Sequence, residues 1–504
     1  MGYLYRIALV CLAFLACVAH SPAFAQAGYS PMPEWGAGGF RFETFNGDSS
    51  GNYNGRAVAR LDSGNYVVAG DIHGGTLTTV RNLGLVKYDA LGQRVPWPDV
   101  SPMHAIVGER YVVFPNHDLW GTTRQIVQVH DIKVSGSLIY VLLTFMENGV
   151  HRPAIVRWSE SGGFRGWWSF APADATGLSF GVSMDILGRN IVVLGARSLD
   201  INSSDGGYWV TRLTINNDES ITLGSITTFS AGSRIIPADI AFQRRTLLPP
   251  VGAPAYYVAY TVRSINSQAT WPCIHKVGSN NASETDFGSN GYRCNPWLAN
   301  DTNLYRDGAV ALHTRLQSAG GFPVQYKEVL HLSALVSKPA SGIGLLRLVD
   351  GVPDTSWGAS GLVNFGGCMS GNGEGCSTHP NLGDTSHIAL PGALHADSTG
   401  VYVAGRTFTP VLFGTPQLPP QRRPIFAHVS DDDGTLLSLQ EYVPGSNSRF
   451  TAFAPGDLVA GHREFVAVGL THYQNTHTLD DGPTQIIATR LLPRLDLFSD
   501  GFEN

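Results

Sequence analysis

Apolar residues along this chain fall in runs of five, and the runs come in pairs. The first member of each pair is often closed by glycine: YVVAG (66–70), IYVLL (139–143), IVVLG (191–195), YYVAY (256–260), EVLHL (328–332), VYVAG (401–405) and FVAVG (465–469). The second carries a basic residue at its fourth position: GLVKY (84–88), AIVRW (154–158), WVTRL (209–213), CIHKV (273–277), GLLRL (344–348), IFAHV (425–429) and IATRL (487–491). Runs this short are the length of buried strands, and turn residues such as LDSGN (61–65), SDDDG (430–434) and DGVPD (350–354) close them into hairpins.

Ahead of each first run stands a short stretch with Asp or Ala beside an aliphatic residue: RAVARL, VHDIKV, SMDIL, PADIAF, GAVAL, GALHA and PGDLVA. After most second runs a further strand follows, as in GLVNF (361–365). The pattern predicts four strands per repeat, A to D, with repeats starting near 55, 126, 181, 235, 307, 388 and 452. Seven four-stranded sheets that bury their faces on their neighbours predict an all-β fold, a seven-bladed β-propeller of antiparallel blades forming one domain over 28–504. An open solenoid would need capping units with a polar outer face, and none is visible.

The chain also begins with what looks like the end of its own repeat. EWGAGGFRF (34–42) matches SWGASGLVNF (356–365), with DFGSNGYRC (286–294) as a looser copy, while the seventh repeat runs out after Arg490. The segment 38–46 is therefore expected to close the ring by pairing antiparallel with 485–491. At this point the repeats resemble the delta-60 repeat proteins of bacteria, most fully over GLLRLVDGVPDTSWGASGLVNF (344–365) and in part over LGLVKYDALGQ (83–93) and STGVYVAGR (398–406). The resemblance implies a propeller and export, and it brings no catalytic residues with it.

Composition agrees with a loop-rich all-β chain: 58 glycines, 29 prolines and 15% charged residues in 504. A net charge of −6 with 34 scattered basic residues leaves no basic stripe, which argues against a nucleic-acid partner. Residues 1–27 read as a signal peptide, with Arg6, an apolar stretch (7–19) and small-residue sites AFA (23–25) and AQA (25–27). A lipoprotein reading at Cys17 is the lesser alternative. No later segment is a membrane span, so the mature protein is expected to be secreted or periplasmic. Cys273, Cys294, Cys368 and Cys376 remain, and their even number in an exported chain predicts disulfides 273–294 and 368–376 rather than zinc.

Two sets of side chains recur. Lys87, Arg157, Arg212, Lys276, Arg347, His428 and Arg490 on strand C are read as structural, snorkelling to carbonyls at the blade edge. Asp131, Asp185, Asp239 and Asp457 stand on strand A where the other repeats have Ala57, Ala309 and Ala393. They are either supports that accept backbone N–H bonds or an acidic ring that draws cations or amines into an axial channel. No hydrolase, metalloprotease or nucleotide-binding motif is present, so no catalytic residue, metal or cofactor is assigned. The reading favours an exported non-enzymatic binding or scaffold protein for an unknown protein or glycan ligand. The alternative is an extracellular hydrolase or lyase acting on a sugar or ester through the channel carboxylates; convergence of those carboxylates on one open pocket separates the two.

Overall fold

A computed structural model describes residues 28–44, 51–74, 78–99, 111–114, 124–170, 179–198, 206–229, 234–244, 254–263, 270–294, 308–320, 325–336, 342–366, 388–408, 422–445, 447–472 and 484–493. These residues form antiparallel sheets, with no α-helix among them. The signal peptide, Cys368 and Cys376 lie outside the described residues.

Strand A of the seven repeats is Asn52–Arg60, Arg124–Ser135, Phe180–Leu187, Arg234–Phe242, Gly308–Gly320, Ile388–Asp397 and Arg449–Val459. In the second, third, fourth and sixth repeats, strands A to D make a separate four-stranded sheet, and the fifth adds the two-residue strand Val352–Pro353. The first and seventh repeats share one sheet through a single parallel bridge, Asn52 to Thr484.

Strands B and C are buried on both faces, which is why they read as continuous apolar runs rather than alternating ones. The apolar clusters each draw on two consecutive repeats: Tyr66, Val68 and Val86 of the first pack with Val466, Val468 and Ile486 of the seventh. Strand A packs in turn on strand A of the next repeat, and the seventh packs on the first.

The N-terminal segment lies on the outer edge of Thr484–Pro493. Arg41, Phe42 and Glu43 pair antiparallel with Ala488, Ile487 and Ile486, and Tyr29 pairs with Pro493. The Trp-Gly lead-in takes the same form wherever it occurs. Trp35 and Trp357 are both fully buried, and their indole N–H groups donate to Ala90 O at 3.1 Å and Ser430 O at 2.9 Å, each in the C–D turn of the following repeat. The glycine closing each copy, Gly39, Gly291 or Gly361, holds φ of +81°, +92° or +86°. A Cβ at Gly39 would also come within 2.5 Å of Pro31 Cβ. Gly39→Ala is accordingly expected to cost about 1–3 kcal/mol in urea denaturation, combining left-handed strain with that clash.

A disulfide joins Cys273 to Cys294 on paired strands C and D of the fourth repeat.

Candidate active site

One strand-A segment from each repeat lines a cavity of about 370 Å³. Strand periodicity selects its charged groups. In VHDIKV, Asp131 and Lys133 share one face while Ile132 turns into the core; in SMDIL, Ser183 and Asp185 share the cavity face while Met184 is buried behind.

Each of three aspartates joins its own strand to the next repeat. Asp131 accepts from Ile132 N–H at 2.8 Å and Met184 N–H at 3.0 Å, Asp185 from Ile186 and Phe242 N–H at 2.8 Å each, and Asp239 from Ile240 N–H at 2.8 Å and Leu312 N–H at 2.7 Å. They differ in their cations. Lys133 Nζ reaches both oxygens of Asp131 at 2.9 Å, and Arg244 reaches both of Asp185 at 3.0 and 2.8 Å. Asp239 instead receives the Ser183 hydroxyl at 2.6 Å, and no cation contacts it among the described residues.

The protonation states follow. Burial pushes the Asp239 carboxyl up to about 6, outweighing the lowering effects of Leu312 N–H, the Ser183 hydroxyl and Lys133. Burial works against the Lys133 ammonium, but Asp131, Asp185 and Asp239 together raise its pKa above the ordinary lysine value. His130, which bonds Thr144 Oγ1 at 2.8 Å, is pushed down to about 3 by burial and by Arg56, and His313 is held well below its usual range by burial and by His395. The cavity is thus lined by two neutral imidazoles, an ammonium, two guanidiniums and three carboxyls, of which Asp239 titrates near pH 6.

Asp457 is not part of it. A register shift between Pro455 and Leu458 carries the aspartate beyond the cavity-lining part of its strand, where it stands exposed and pairs with Arg60 at 2.6 Å. Thr451, Ala452 and Phe453 face the cavity instead, so the expected ring of four contracts to three. Arg56, Lys133, Ser183, Arg244, His130 and His313 escaped the repeat-based search because they occupy no repeated position; for Lys133 the available signal was its two-residue spacing from Asp131.

The strand-C bases lie away from the cavity, and most of them tie one repeat to the next. Lys87 Nζ donates to Glu160 O at 2.9 Å, Arg157 to Glu219 O at 2.6 Å, Arg212 to Gly278 O at 2.7 Å, Arg347 to Asp431 O, and Arg490 to Ala90 O at 2.5 Å. His428 is too short to cross and bonds Thr399 O within its own repeat at 3.2 Å. Lys276 stands 3.9 Å from the exposed Asp286.

No family model matches the chain, and no curated protein matches it. Among solved structures it is similar to a phage phi92 endosialidase (10% identity, 92% of this chain and 70% of that one, TM-score 0.37). It is also similar to an endo-arabinase from Bacteroides thetaiotaomicron (15%, 58% and 96%, TM-score 0.30) and a Bacillus subtilis arabinanase (13%, 61% and 92%, TM-score 0.26). The expectation of a non-enzymatic binding or scaffold protein is corrected in favour of its alternative by the site itself: three of the four expected carboxylates, Asp131, Asp185 and Asp239, line one cavity. No helix of the described residues is long and apolar enough to cross a membrane. No group of three or more His, Cys, Asp or Glu among them is placed to hold a metal.

Proposed function

We propose that the protein is an exported hydrolase or lyase acting on a glycan, with Asp239 as its proton donor. The observation that carries the reading is the asymmetry among the three carboxyls: two are clamped by cations, and the third, without one, keeps its proton up to pH about 6. Among the described residues Asp239 Oδ2 accepts only the Leu312 N–H, which leaves it a lone pair for that proton. Protonation of a leaving glycosidic oxygen needs a carboxyl raised in this way beside one that stays ionised. Asp131 is the partner. The Ser183 hydroxyl lies 3.3 Å from Asp131 Oδ2 and 2.6 Å from Asp239 Oδ1, so one hydroxyl links the carboxyl that Lys133 clamps to the one without a cation.

The frame that holds them is, in the same proposal, a delta-60-like propeller of seven blades closed by the N-terminal strand and exported after loss of residues 1–27. The seven strand-A segments around one cavity, the apolar cluster joining the first and seventh repeats and the pairing of 41–43 with 486–488 all support this reading.

A screen of polysaccharides on the mature protein, with Asp239→Asn as control, tests the activity. The variant is expected to lose about 10²–10⁴-fold in kcat with its circular dichroism unchanged. Wild-type activity is expected to fall as pH rises through about 6, where the donor loses its proton. Folding stability carries the same sign: between the ordinary aspartate value and about 6 the folded state binds more protons than the unfolded one, so stability declines as pH rises across that window. An Asp239→Asn protein as active as the wild type, with the same pH profile, would leave the carboxylates as strand supports only.

A further inference from the structure

From the hydrogen-bond inventory of the cavity we infer that its ligand is an anionic saccharide, the reverse of the cation or amine that an acidic ring would attract. This inference rests on the glycan reading of the same site and names the substrate class.

Apart from one lone pair on Asp239 Oδ2, the carboxylate acceptors are already occupied by protein donors. Both oxygens of Asp131 and of Asp185 receive a backbone N–H and a cation, and Asp239 receives two N–H groups and a hydroxyl. A cation entering the cavity would meet carboxylates whose lone pairs face protein donors, with the Lys133 ammonium already beside them. The donors are in surplus. Arg56 uses only Nε, on Asp71 at 2.6 Å, and Arg244 uses Nη2 on Asp185. The other guanidinium nitrogens of both have no side-chain or backbone acceptor among the described residues. Among the described residues Lys133 bonds Asp131 alone, and its side chain, which lines the cavity, is 36% exposed. Three cationic groups from three repeats therefore turn unused N–H bonds toward one space. Charge-assisted N–H bonds to a carboxylate or sulfate are roughly twice as strong as neutral ones, so a ligand bearing such a group gains most from this lining.

The test uses the full mature chain carrying Asp239→Asn, so that binding is read without turnover. Isothermal titration at low salt compares a uronate tetramer, its carboxyl-reduced counterpart and a sulfated neutral tetramer. The anionic oligomers are expected to bind at least about tenfold more tightly than the reduced one, with an affinity that weakens as salt is added. Tighter binding of the uronate assigns the charge to carboxylate, and of the sulfated tetramer to sulfate. Adding Arg56→Gln or Arg244→Gln should each remove the preference; the two are used together because Arg244 also clamps Asp185, and circular dichroism checks the fold of both. Equal binding of acidic and reduced tetramers, or tighter binding of a cationic glucosamine tetramer, overturns the inference. Turnover of neutral glycans without such a preference sinks this inference and leaves the hydrolytic reading standing, whereas anion-selective binding with no turnover of any glycan by the wild type does the opposite.

Discussion

Removal of residues 28–44 is expected to lower the melting temperature by roughly 5–9 °C and to open the strand Thr484–Pro493 to hydrogen exchange before any other strand C. Tyr29, Trp35 and Phe40 are 2%, 0% and 5% exposed. Burying three such side chains contributes on the order of 5–9 kcal/mol, an upper figure because the unfolded chain is not fully extended. For a chain of this length each kcal/mol is worth about 1 °C. Their contacts reach three repeats: Tyr29 packs on Phe426 of the sixth and Phe465 of the seventh, and Trp35 on Tyr88 of the first. Deletion also strips the partner from an apolar edge, so aggregation should accompany the loss of stability. A truncated protein that melts with the intact one, with unchanged exchange at 486–488, would show that the strands of the seventh repeat stand without the N-terminal strand.

The second large effect is expected at Arg347. Its guanidinium is almost wholly buried and meets Asp431 O, Asp354 at 3.2 Å and Gln317 Oε1 at 2.9 Å. Arg347→Met keeps much of the aliphatic stem and leaves Asp354 without this partner, and breaking a buried pair in this way costs about 3–5 kcal/mol. Lys276 occupies the same repeat position but faces an exposed carboxylate at 3.9 Å, so Lys276→Met should change stability by less than about 1 kcal/mol. Urea denaturation of the two variants side by side decides the matter. Equal losses would mean that the position acts through its apolar stem, and that the bonds to the next repeat contribute little.

This pair of residues also shows how far the sequence could be read. The basic position was legible in all seven repeats because strand C is buried on both faces and the one long polar side chain breaks an apolar run. That these bases reach carbonyls was legible; which carbonyl was not, since for five of the seven it lies in the C–D turn of the next repeat. The strand order within the repeats and the pairing of the N-terminal segment with 486–488 were visible for the same reason, as local patterns that recur. The cavity was visible only in part. Asp131, Asp185 and Asp239 stood at one repeat position, but Asp457 matched them in composition and not in register, because the irregularity at Pro455 displaces it. Arg56 and Arg244 had no repeat signal at all, and only the folding of separate strands onto one axis brings them beside the carboxylates.

The pairing of Arg41–Glu43 with Ile486–Ala488 also fixes an order in time. A ribosome makes 41–43 before 486–488, so all of 44–485 must be synthesised before the two strands can meet. Loop length itself is a small thermodynamic matter, since each doubling costs only about 0.6 kcal/mol. The delay is kinetic, because contacts between residues this remote form slowly. Tyr29, Trp35 and Phe40 must therefore wait in solution while the intervening sheets assemble. Until 486–488 emerge, the nascent protein presents the aromatic segment 29–43 without its partner strand, the surface that a chaperone would have most reason to hold.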